Sequence, residues 1–199
     1  MRVYFFRHGQ TESNRDKRVQ GWTDVKLTDK GIRQAQKLRQ AIEGIKFDRK
    51  IASDLYRTRQ TAQILFGDDD SLEFDPRVRE INNTSIAGHS IAEMVEKYGD
   101  VYTNALHGLD YSAFGGESCA ELVKRVGEFL DDLARDTVSE KVAVVTHGGV
   151  IHAAVANVLG MGTNIDTKSF GIGNCTANIF EYSDGRWRLV HLNNRSEIE

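Results

Sequence analysis

Two stretches decide the architecture: "VYFFRHGQTES" at residues 3–13 and "VAVVTHGGVI" at residues 142–151. Each opens with four apolar residues, Val3 to Phe6 and Val142 to Val145, and one residue later reaches a His-Gly pair, His8-Gly9 and His147-Gly148. A short unbroken apolar run closed by polar and glycine residues reads as a strand buried on both faces, the kind found in parallel sheets. Both histidines therefore stand just past the carboxyl ends of buried strands, and one of them follows an arginine, Arg7.

Helix patterns fill the sequence between and beyond these strands. Thr28 is placed to cap a helix whose Ile32, Ala35, Leu38 and Ile42 keep helical spacing. "KIAS" (50–53) predicts a second strand and "SDLYRTRQTAQIL" (53–65) the helix it feeds. Ser90 with Glu93, and Ser118 with Glu121, have capping-box spacing; the first helix closes at Gly99, and the second runs through Leu122, Val126, Phe129 and Leu133. Strand 142–146 leads into helix 149–159, stopped by Gly160, and "ANIFEYSDGRWRLVHL" (177–192) reads as a hairpin turning at Asp184-Gly185. Alternating strands and helices predict an α/β domain around a mainly parallel sheet. One domain over residues 1–199 is expected, with a less regular, lid-like insertion at about 81–117.

Composition narrows the function classes. The 199 residues are 40% hydrophobic and 28% charged, with 26 basic and 29 acidic residues and a net charge of −3. That balance argues against a general nucleic-acid binder, which carries a basic excess. No apolar run approaches the roughly 18 residues of a membrane span, and "MRVYFF" enters a strand with no cleavage signal. Two cysteines, Cys119 and Cys175, cannot build a disulfide framework, so a reducing cytoplasm is the expected location. Oligomeric state is left open, a homodimer included.

Ligands of open α/β sheets gather beyond the carboxyl ends of the strands. Three strand ends could thus aim Arg7, Arg57, His8 and His147 at one point, with Arg57 on the first turn of the helix after Ser53. That set suits a dianion: hydrogen bonds from a charged donor contribute about 1.5–3 kcal/mol each, and the guanidinium fork matches phosphate geometry. Two guanidinium groups also disfavour a protonated imidazole between them, leaving a neutral histidine able to attack phosphorus.

The motifs "RHGQTESN…QGWTDVKLTDKG", "ASDLYRTRQTA", "GGES" and "VTHGGVI" together resemble the histidine phosphatase superfamily, which shares its fold with the cofactor-dependent phosphoglycerate mutases. The match runs in family order from Arg2 to about Gly160 and is weakest between 81 and 114. The resemblance implies a three-layer αβα sandwich, phosphoglycerate mutase-like, in which His8 is transiently phosphorylated. It implies that Arg7, Arg57 and His147 hold the phosphoryl oxygens, that Glu80 is the proton donor, and that Asn14, Gln20 and Gly21 line the phosphate or substrate pocket. No metal and no cofactor are implied; the partner is a small phosphorylated substrate.

Hydrolysis is favoured over isomerisation. Mutases of this fold place a lysine and an arginine pair over the site, whereas no arginine lies here between Arg79 and Arg125, and Ile91 stands about where the lysine would be. The segment instead offers Tyr98, Tyr102, Tyr111 and Phe114, which suits a less acidic organic moiety. "GWTDVKL" points the other way, being close to the mutase form of that loop. A phospho-ligand binding domain and a metal-dependent hydrolase are the remaining alternatives. His89, His107, His152 and His191 are read as surface, lid or packing residues. Cys119 and Arg125 have the C-x5-R spacing of cysteine phosphatases, but "CAELVKR" is an amphipathic helix, so the pair is read as packing; "DDDSL" (68–72) is read as an acidic turn.

Overall fold

Residues 1–194 are described by the structure, a computed structural model. The chain runs β1 (Arg2–Arg7), α1 (Glu12–Arg15), α2 (Asp29–Ala41), β2 (Arg49–Ala52), α3 (Tyr56–Phe66), β3 (Leu72–Phe74), α4 (Ile91–Tyr98), α5 (Asp100–Gly108), α6 (Cys119–Arg135), β4 (Lys141–Thr146), α7 (Gly148–Leu159), β5 (Ala177–Ser183) and β6 (Arg186–Asn194). The strands form one six-stranded sheet in the order β3-β2-β4-β1-β5-β6. The first four are parallel; β5 and β6 are antiparallel to their neighbours.

Alternation along the central strands builds two cores. Val3 and Phe5 of β1, with Val142 and Val144 of β4, pack into a cluster with Leu122, Val126 and Phe129 of α6 and Val150 and Ile151 of α7. Tyr4, Phe6, Ala143 and Val145 point to the other face and meet Ala35 and Leu38 of α2 and Ala62 and Leu65 of α3. Successive strand side chains face opposite ways, so an unbroken apolar run needs cover on both sides, and helices supply it. The result is the expected αβα sandwich around a mixed sheet.

The caps hold as expected. The Thr28 hydroxyl accepts from the Gly31 amide, and Ser90 and Ser118 each make both bonds of a capping box. Asp184 and Gly185 turn the hairpin with both residues at positive φ.

Three expectations need correction. The helix after β2 starts at Tyr56 rather than Ser53, because the backbone is still extended at Leu55 (φ −69°, ψ 144°); the Ser53 and Asp54 side chains bind His147 and Arg79. β3 is an additional three-residue edge strand beyond the acidic turn. Beyond the expected helix α4, the 81–117 segment also contains α5, separated from it at Gly99 (φ 52°), and short 3-10 turns at Thr84–Ile86 and Ser112–Phe114. Its Ile81, Ile86, Met94, Tyr102 and Leu109 join the α6–α7 core.

Candidate active site

Register positions the two histidines. β1 and β4 pair in parallel with Arg7 opposite Thr146, so His8 and His147 leave the sheet side by side. Their ring centroids are 5.2 Å apart. β2 pairs with β4 on the other side, Ala52 opposite Val145, which brings Ser53 and the start of α3 to the same edge.

His8 is 1% exposed, and its Nδ1 lies 2.8 Å from the Gly9 carbonyl oxygen. A carbonyl only accepts, so the ring proton is assigned to Nδ1, leaving a lone pair on Nε2. Burial, with Arg57 and then Arg7 adding to it, holds the imidazole well below the ordinary histidine value of 6.5; the Gly9 bond opposes this weakly. The backbone behind the ring is tied as well: Asn174 Nδ2 donates to the His8 carbonyl at 2.9 Å.

Arg57 is 1% exposed and donates from Nε to His147 Nδ1 (3.3 Å), from Nη2 to the Gly21 carbonyl (2.9 Å) and from Nη1 to the Thr23 carbonyl (3.2 Å). Burial lowers its pKa to about 10, against the opposing charge of Glu80, and it remains a cation at neutral pH. Arg7 donates to the Ile172 carbonyl, while its Nε is buried without a partner. Burial lowers its pKa too, again opposed by Glu80. A buried donor left unpaired carries a desolvation penalty that a bound anion would remove.

His147 accepts from Arg57 at Nδ1, so its proton is assigned to Nε2, 2.9 Å from Ser53 Oγ. Both ring nitrogens are thus occupied, and burial followed by Arg57 holds the ring well below 6.5. In this arrangement His147 orients Arg57 and offers no free donor of its own to an anion. The candidate acid Glu80 accepts at Oε1 from the Gly149 and Ile81 amides, both at 3.0 Å. Any Cβ at position 149 would overlap that oxygen, so the second glycine of "HGG" is what lets the carboxylate dock on the start of α7.

A cavity of about 300 Å³ joins these groups: Arg7, His8, Gln20, Gly21, Arg57, Glu80 and Gly149 line it, as do Asn83, Ile91, Tyr102, Leu106 and Tyr111 from the 81–117 segment. Gly21 takes φ 54° with no room for a side chain against Asn83 and Thr84. Gln20 accepts at Oε1 from Thr11 Oγ1 (2.9 Å). Asn14 is not part of the lining: its Oδ1 accepts from the Thr11 amide in the capping box of α1 and from Asn174 Nδ2 (3.3 Å), one hydrogen bond behind His8. Among the described residues, no group of three or more His, Cys, Asp or Glu is placed to hold a metal ion, and no helix is long and apolar enough to cross a membrane.

This chain matches the family model of the histidine phosphatase superfamily (branch 1) over residues 3–195. It belongs to that superfamily. A relative described as probable phosphoglycerate mutase GpmB, from Yersinia pestis, is 30% identical over 190 residues, spanning 94% of this chain and 87% of its own. The solved phosphoserine phosphatase of Entamoeba histolytica in complex with 3-phosphoglyceric acid is 30% identical, with a TM-score of 0.83 over 97% of this chain and 96% of its own. The mycobacterial glucosyl-3-phosphoglycerate phosphatase in complex with VO3 is 26% identical, with a TM-score of 0.86 over 97% and 98%. This superfamily member is thus similar to proteins described as phosphatases and as mutases alike.

Sequence reasoning missed four partners. Ser53 and Asn174 hold His147 and His8; Ser53 stands within "ASDLYRTRQTA" without a role assigned to it, and no motif marks Asn174. Arg125, read as packing, donates to three carbonyls around Glu80, and only the arginine's position facing the 77–80 segment reveals it. His152 is a 6%-exposed residue of the cavity wall, stacked on Phe170 at 4.4 Å.

Proposed function

We propose that this histidine phosphatase superfamily member is a phosphomonoesterase that hydrolyses a small phosphorylated metabolite through a phosphohistidine on His8. The observation that carries the reading is the buried His8 ring, its Nδ1 held by the Gly9 carbonyl, in the cavity that Arg7 and Arg57 also line. In the first step Nε2 forms a bond to phosphorus and the ester P–O bond breaks; the departing oxygen takes a proton from the Glu80 carboxyl group. In the second step water attacks phosphorus, Glu80 recovers a proton from it, and the N–P bond breaks to release phosphate. Arg7 Nε and the unused Arg57 hydrogens stabilise charge on the transferring oxygens, a term that dominates phosphoryl transfer. His147 and Asn14 serve by positioning Arg57 and His8; Gln20 and Gly21 line the pocket for the substrate.

The wall from residues 81–117 favours a less acidic organic moiety, since its cavity-facing members include Ile91, Tyr102, Leu106 and Tyr111 and no arginine or lysine. Two buried, unpaired cysteines suit a reducing cytoplasm. A second reading, phosphoglycerate mutase, draws on the name carried by the curated relatives.

Turnover of p-nitrophenyl phosphate in EDTA tests the hydrolytic reading. We expect phosphate release in the chelator and a loss of about 10⁴-fold or more in His8→Ala. Activity that EDTA removes, or that survives His8→Ala, would overturn the reading. A burst of 2-phosphoglycerate from 3-phosphoglycerate, dependent on 2,3-bisphosphoglycerate, would establish the mutase instead.

A further inference from the structure

Arg125 and Glu117 form a partly buried ion pair, with side chains 17% and 11% exposed. Its geometry is bidentate: Nε reaches Glu117 Oε1 at 2.6 Å and Nη2 reaches Oε2 at 2.9 Å. The pair does not stop at itself. Arg125 Nη1 donates to the carbonyls of Arg77 (2.6 Å) and Arg79 (2.8 Å), and Nη2 donates to the carbonyl of Glu80 (3.1 Å). From the far side, Glu117 Oε2 accepts from the Asn82 amide (3.0 Å), and the Glu117 amide donates to the Asn82 carbonyl (2.7 Å). Backbone on both sides of Glu80 is therefore gripped by one pair of opposite charges.

The segment so held is irregular, between a 3-10 turn at Pro76–Val78 and another at Thr84–Ile86. Without a sheet or helix ladder, its carbonyls need other donors, and a guanidinium supplies several from a planar fork. Lysine could not reproduce three carbonyl bonds and a bidentate carboxylate pair. Trp22 Nε1 adds a further bond to the Glu80 carbonyl at 2.7 Å. Neither Arg125 nor Glu117 lines the cavity, so the pair reaches the substrate through the segment it holds, of which Glu80 is the member with an acid function.

We propose that the Arg125–Glu117 pair is the positioning device for the acid: it fixes the Glu80 backbone so that the carboxyl group meets the leaving oxygen. This rests on the phosphohistidine reading and on Glu80 as its proton donor. A misplacement of a reacting group by about 1 Å can cost on the order of 10² in rate. The cost falls on substrates that need the proton. An alkyl alcohol leaves poorly without one, whereas p-nitrophenolate leaves readily.

The test compares kcat/KM for 2-phenylethyl phosphate and p-nitrophenyl phosphate on the same protein, so that any loss of folded enzyme cancels in the ratio. Glu80→Gln is the reference and should lower the alkyl-to-aryl ratio by about 10²-fold. Arg125→Met should lower it at least tenfold, and Glu117→Gln, which keeps the shape and one acceptor, should move it in the same direction. Adding Arg125→Met to Glu80→Gln should leave the ratio where Glu80→Gln put it, as expected for residues acting as a unit. An unchanged ratio in both Arg125→Met and Glu117→Gln, with both substrates slowed equally, would reduce the pair to a structural role and overturn the proposal. An unchanged ratio in Glu80→Gln would locate the failure one step earlier, in the acid itself.

Discussion

At the scale of single residues, the protonation of His8 is set by one carbonyl. Gly9 binds the Nδ1 proton, and burial with two neighbouring guanidinium groups keeps the second nitrogen bare. Glu80 depends in a similar way on residue 149, whose amide it accepts and whose missing side chain it occupies. Gly149→Ala should therefore displace the carboxylate and lower kcat/KM for an alkyl phosphate by about tenfold or more. A steady-state comparison with the unsubstituted protein checks this, and equal rates would mean that the carboxylate docks elsewhere. These dependencies were only partly legible. Arg7, His8 and His147 could be placed because they follow apolar runs closely, and Arg57 because it sits in the first turn of a helix. The occupied nitrogens of His147 could not, since Ser53 and Arg57 are 94 and 90 residues away in sequence.

At the scale of elements, helix ends do much of the positioning. α6 carries Arg125 and starts at Ser118, whose hydroxyl accepts from the Glu121 amide while the Glu121 carboxylate accepts from the Ser118 amide. Ser118→Ala should cost about 1 kcal/mol, which in a domain of this size lowers Tm by roughly 2–4 °C. Thermal unfolding followed by circular dichroism measures it, and an unchanged Tm would show that packing of Leu122, Val126 and Phe129 alone holds the helix start. Elements with a strong apolar stripe or a cap were legible in advance: α2, α4, α6, α7 and the closing hairpin. α5 and β3 were not. α5 buries only Tyr102 and Ala105 in nine residues and includes β-branched Val101 and Thr103, while β3 is a three-residue edge strand with two exposed side chains.

At the scale of the whole molecule, the fold keeps three histidines neutral. Burial, the first cause in each case, holds His8 and His147 well below 6.5 and lowers His152 to about 4. Above pH 6.5 neither the folded nor the unfolded chain protonates them, and their contribution to stability is present in full. As pH falls through 6.5 the unfolded chain takes up protons that the folded chain refuses, so stability declines by about 1.4 kcal/mol per pH unit for each histidine. The decline attributable to His152 ends near pH 4, where its folded form also protonates. Denaturant titrations at pH 7.5, 6.0 and 5.0 should show unfolding free energy dropping with acid in this window, before most carboxylates titrate. A flat profile would contradict the buried neutral state.

What the amino-acid order determined by itself was the layered α/β plan and the convergence of Arg7, His8, Arg57 and His147. Apolar runs need cover on both faces, and parallel strands deliver the residues that follow them to one edge. Tertiary structure alone decided that both nitrogens of His147 are occupied, how Glu80 is held, and that Arg125, one helical position among many, grips the acid's backbone. Those outcomes rest mainly on hydrogen bonds between residues far apart along the chain, such as the 45 positions from Glu80 to Arg125 and the 69 from Glu80 to Gly149. Side-chain partners of that kind leave no period or spacing in the sequence, because they exist only once packing has brought the elements together.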